Sequence, residues 1–252
     1  MNSSGKTRRA VGIVILAISG LAWALLLAGP GQMAAMQHCA MSLPTAGESV
    51  KMWLAMHPLA SVMGGWGLMV MAMMLPKLRV PIQYIYDRSL RRMRFLSIVS
   101  FVLGYLGVWM VAGIVLNALV ILATYHIPGR GLCTLLAGFV TLIWQCSPAK
   151  QGCLNRGHMH PALAAFGPAA IVDAFRFGAV HGTWCVGAGW ALMMFPLLVP
   201  VGHLIAMFLV ALIMVSEHLE RPRVPRWHIF LPKKLLKIIV AQSRIHLTTV
   251  LH

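Results

Sequence analysis

Long apolar runs separated by short basic blocks constrain this chain more than any single motif. The apolar stretches cover residues 11–29, 53–75, 95–120, 131–144, 173–195 and 197–216. A helix needs about 20 predominantly apolar residues to cross a bilayer. In hydrocarbon every backbone polar group must be satisfied within the segment, so runs of this kind fold as helices. The pattern predicts an all-α fold, a polytopic transmembrane helix bundle of about six spans. Composition agrees, with 59% hydrophobic and 10% charged residues, where a soluble domain is about a quarter charged.

Charge placement orients the bundle. The chain carries 21 Lys and Arg against 5 Asp and Glu. Of the basic residues, only Lys51 and Arg130 fall on the outer side in this arrangement. The positive-inside rule then puts both termini in the cytoplasm. The same blocks, set between apolar runs, argue for topology rather than a nucleic-acid partner. Residues 11–29 lack a small-residue cleavage site and other spans follow, so they read as a retained first helix. The expected domains are a bundle over residues 1–220, with a core at 53–220, and a basic cytoplasmic tail over 221–252. Within the tail, residues 229–241 suit an amphipathic helix on the anionic inner surface. The expected location is a cell membrane, multi-pass, of the bacterial inner-membrane kind.

Several residues carry ligand chemistry. His181 and Cys185 are spaced i,i+4 on one face of the fifth run. Imidazole and thiolate suit zinc or copper, and thioethers favour Cu(I). Met69 and Met73 share a face of the second run, which makes copper the favoured ion. Two readings stay open: a metal pair, or a hydrogen-bonded core histidine beside an inert thiol. Met33, Met36, His38, Cys39 and Met41 form an outer tract that is either a soft-metal collector or an interfacial helix. His57 lies near the outer end of the second run, and Glu217 near the inner end of the last. Asp173 is placed to pair with Arg176 or to join an inner charge cluster with Glu217.

Residues 145–172 read as a cytoplasmic loop holding Cys146, Cys153, His158 and His160. Their spacing is not a standard zinc pattern. Five cysteines with no tight framework exclude a disulfide scaffold. No phosphate-binding loop, dinucleotide fingerprint or HExxH motif is present, so nothing supports a nucleotide-driven or metallopeptidase role.

The chain resembles the DUF2182 family of metal-binding integral membrane proteins over residues 53–220. The resemblance rests on Trp66, Met69, Ala72, Met73, Met74, Leu75, Pro76, Pro81 and Tyr84 in and after the second run. It continues through Gly104, Tyr105 and Trp109, then Gln145, Pro148, Lys150, Cys153 and Leu154. It closes on His181, Gly182, Cys185, Gly187, Trp190, Ala191, Leu192, Met193 and Glu217. It implies metal binding but no reaction. Where family members carry an adjacent cysteine pair, this chain reads Cys185-Val186-Gly187-Ala188-Gly189-Trp190.

The function expected from residues and resemblance is membrane metal handling, copper or zinc, through His181, Cys185, Met69 and Met73. Cys153, His158, His160, His57 and Glu217 are further candidate ligands, and no catalytic residue is assigned. The alternatives are a metal-dependent membrane oxidoreductase subunit and a non-catalytic assembly or interaction subunit. Expected partners are the lipid bilayer and a membrane or periplasmic protein.

Overall fold

The computed structural model describes residues 3–28, 59–127, 129–220 and 222–228. Its helices are α1 (Ser3–Leu27), α2 (Leu59–Met74), α3 (Arg79–Arg88), α4 (Arg94–His126), α5 (Arg130–Cys146), α6 (Pro148–Gly157), α7 (Gly167–Leu198) and α8 (His203–Leu219). A 3₁₀ turn, Leu75–Leu78, joins α2 to α3. The outer Met/His/Cys tract, His57 and the tail from 229 onward lie outside the described residues.

Three helical segments among the described residues are long and apolar enough to cross a membrane: Arg9–Leu27, Ala60–Arg88 and Arg94–His126. A fourth is gained if Gly131–Cys146 and Pro148–Gly157, bent by 64°, form one broken span. Length and composition thus give three or four spans, short of the six expected. His203–Leu219 is a shorter apolar helix, and α7 is not among the three. The reason lies in its position. α7 packs against α4, α5, α6 and α8, and a helix enclosed by protein can carry polar and small residues that a lipid-facing helix cannot.

Several boundaries differ from expectation. The basic stretch after Pro76 turns through 3₁₀ geometry into α3. Pro76 at the second position of that turn costs no hydrogen bond, because an N–H in a first helical turn has no partner within the helix. The stretch 145–172 holds α6, started by Ser147, whose hydroxyl accepts from the Lys150 amide at 3.2 Å. Pro196 lies inside α7 rather than in a turn after it. Asp173 accepts from the Ala164 amide at 3.0 Å, tying the preceding loop to α7.

The tightest crossing is α4 on α7. A Cβ on Gly178 would lie 2.0 Å from the Phe101 carbonyl oxygen, and one on Gly104 would lie 2.3 Å from that of Phe175. The two backbones touch, as small residues allow between membrane helices. Other contacts hang from this pair by side chains that bond to neighbouring backbone. Trp66 Nε1 donates to the Trp109 carbonyl at 2.8 Å, Thr141 to Ala191 at 3.1 Å, and Trp144 Nε1 to Gly187 at 3.1 Å. Ser19 and Trp23 both donate to the Ala72 carbonyl, holding α1 on α2.

Gly178→Ala and Gly104→Ala are each expected to destabilise the protein by about 1–3 kcal/mol or more through overpacking. Gly107, where a Cβ meets nothing, is the control, and Gly107→Ala leaves stability unchanged or slightly higher. Thermal unfolding in detergent measures all three.

Candidate metal centre

The α4–α7 crossing sets the position of His181 and Cys185. Gly178 and Gly182 bring their face of α7 onto the Phe101–Tyr105 backbone. His181 and Cys185 are both buried, at 6% and 8% exposure. The His181 ring lies 5.9 Å from that of Tyr105, 6.1 Å from Phe101 and 6.0 Å from Phe177. Cys185 Sγ is 3.2 Å from Tyr105 Oη and accepts from Lys77 Nζ at 3.5 Å. The pair therefore sits in protein, as the cost of burying polar groups in lipid requires.

Met69 and Met73 are buried on α2. The thioether linked to Cys185 is a different one: Lys77 Nζ also reaches Met74 Sδ, at 3.9 Å. The sequence offered neither Lys77 nor Met74 as a candidate site residue. Their i,i+3 spacing across Pro76 is the signal that could have paired them.

The other candidates are differently engaged. Cys153 packs against Gly187, its sulfur 2.8 Å from where a Cβ would stand. His158 has both ring nitrogens on carbonyls, Leu154 at 2.8 Å and His218 at 3.2 Å, and stacks on the His218 ring. His160 is exposed and rests on Tyr84, ring to ring at 4.9 Å. Glu217 is buried and accepts from Lys150 Nζ and Gln145 Nε2.

His218 lies beyond the apolar stretch of α8, in its last turn. There its ring stacks on that of His158 at 5.1 Å. Yet among the described residues no three His, Cys, Asp or Glu side chains surround a point where a metal could sit. A cavity of about 820 Å³ lies elsewhere, between α5, α7 and α8. Its lining of Leu142, Leu192, Phe195, Ile205 and Leu209 suits apolar chains and not an ion.

Residues 63–229 match the model of the PpoB2 family, described as "Copper chaperone". That match corrects the resemblance to DUF2182, which it replaces. No curated protein and no solved structure matches the chain.

The Lys150–Glu217 pair has 3% side-chain exposure on each partner. Removing one member leaves a buried charge alone, so Lys150→Leu or Glu217→Leu is expected to cost about 3–5 kcal/mol. The double variant loses far less than the sum of the two. A double-mutant cycle on thermal unfolding reads the difference.

Proposed function

The chain belongs to the PpoB2 family of copper chaperones, and from that premise we propose that it holds copper inside the bundle at Cys185 and passes it on. Copper is the metal this family handles. The observation that carries the reading is a buried cysteine sulfur where α4 and α7 meet the turn after α2, contacted by Tyr105 and Lys77. Soft sulfur ligands select Cu(I). His181 stands one turn away on the same helix and supplies an imidazole. Met69 and Met73 belong to the same buried core as Cys185 and add thioether character to it.

A sparse ligand set supports delivery over catalysis. Cu(I) accepts two or three soft ligands, and a site with few donors exchanges its ion more readily than a closed cage. The long apolar helices support a membrane setting for this exchange. The finer arrangement we propose is a multi-pass inner-membrane protein of six spans with cytoplasmic termini, α7 and α8 completing the count. The strongly one-sided distribution of Lys and Arg supports it. The recipient we propose is a membrane or periplasmic protein that needs copper.

Metal content by mass spectrometry on the detergent-purified protein, loaded with Cu(I) under reducing conditions, tests this reading. The expected result is close to one copper per chain in the wild type and none in the His181→Ala/Cys185→Ala variant. Absence of copper from both would overturn it.

A further inference from the structure

The two buried lysines of this protein have different partners. Lys150 is 2% exposed and lies on the Glu217 carboxylate. Lys77 is 6% exposed, and no carboxylate reaches it among the described residues. Its ammonium instead contacts two sulfurs, Cys185 Sγ at 3.5 Å and Met74 Sδ at 3.9 Å. The neighbouring basic residues Arg79, Arg88, Arg91 and Arg92 are exposed. Burial of Lys77 is therefore specific to its position and not a property of the basic block.

A buried ammonium is costly unless something pairs with it. A lysine is also a hard, strongly hydrated cation, for which a thiol and a thioether are poor substitutes for water. The pair of sulfurs is better matched to a soft cation. Lys77 Nζ thus contacts two soft donors that suit Cu(I) better than an ammonium. A metal–thiolate bond is about 2.3 Å long, shorter than either lysine contact, so the donors draw inward when the ions exchange.

Resting on the copper-delivery reading above, we propose that Cys185 Sγ and Met74 Sδ are the two sulfur donors of the copper site and that Lys77 is its resident cation. Cu(I) enters and Lys77 Nζ moves off the sulfurs; Cu(I) leaves to a recipient ligand and Lys77 returns. No electron moves in either direction. On loading, a copper–sulfur bond to the Cys185 thiolate replaces its contact with the Lys77 ammonium, and no proton is gained or lost over the cycle. The returning ammonium re-pairs the thiolate, so release does not strand a buried negative charge. Lys77 accordingly weakens copper binding and speeds copper transfer. It is a positioning residue, not a ligand.

The test is Cu(I) competition between the detergent-purified full chain and a chromophoric Cu(I) chelator, without oxygen, read both at equilibrium and in time. Sulfur ligands are counted by X-ray absorption at the copper edge. Lys77→Leu and Lys77→Gln are expected to bind Cu(I) at least about tenfold more tightly, by removal of a like charge, and to release it correspondingly slowly. Met74→Leu is expected to weaken binding and to lose one sulfur from the copper shell, while Cys185→Ser loses the site. Wild-type or weaker affinity in both Lys77 variants, or an unchanged sulfur shell in Met74→Leu, overturns this inference; the wider reading survives if Cys185→Ser still abolishes binding. Full copper binding in Cys185→Ser overturns both. Lys77→Gln keeps a polar group at the position, so a folding defect confined to the leucine variant does not obscure the result.

Discussion

Backbone contact between α4 and α7 is the constraint on which the rest of this structure depends. In lipid the driving force between helices is packing and hydrogen bonding, not removal of apolar surface from water. Gly104 and Gly178 let two long helices approach until the carbonyls of Phe175 and Phe101 take the space side chains would fill. That closeness brings Tyr105 within 3.2 Å of Cys185. It also packs His181 among Phe101, Tyr105 and Phe177. A wider crossing would separate these groups and leave polar side chains facing hydrocarbon. Gly113 does similar service for α2, because a Cβ there would overlap the Trp66 indole, 2.2 Å away.

The buried polar groups around Cys185 and Glu217 form two units with different chemistry. One is hard: Lys150, Glu217 and Gln145, which join α6, α8 and α5. Its role is to hold the bent α5–α6 pair against α8, and the buried charges satisfy one another. The other is soft: Cys185 and Met74, bridged by Lys77 and bounded by Tyr105. Hard cations and carboxylates pair well, whereas copper as Cu(I) prefers sulfur. Keeping the carboxylate occupied by Lys150 leaves the sulfur site without a competing oxygen donor. The separation suits a protein that must bind one soft ion and then give it up.

How much of this was legible in the sequence varies by level. The helical class and the presence of helices long and apolar enough to cross a membrane were, since apolar runs of that length have few other solutions. The spacing of His181 and Cys185 placed them on one face, and the structure has them on one face of α7. Glycines at 178, 182, 187 and 189 permit close helix approach, but nothing in their spacing says which backbone fills the space. The count of spans was less legible, because α7 is enclosed by protein and its composition reflects that enclosure. The resemblance to DUF2182 led to metal but to a different family from the PpoB2 match.

The sequence by itself determined an all-helical fold with long apolar helices, and a thiol and imidazole one turn apart. Periodicity and hydropathy are local properties, and local spacing carries them. Only the tertiary structure decided the partners. It paired Lys77 with two sulfurs and gave Lys150 the Glu217 carboxylate. It brought Tyr105 to Cys185 across 80 residues of chain, and set the His158 ring beside the carbonyls of Leu154 and His218. The physical reason is that a buried charge or sulfur takes its chemistry from whichever helix crosses beside it. Crossings are fixed by where glycines let backbones touch, and no spacing along one strand of sequence records the other side of that contact.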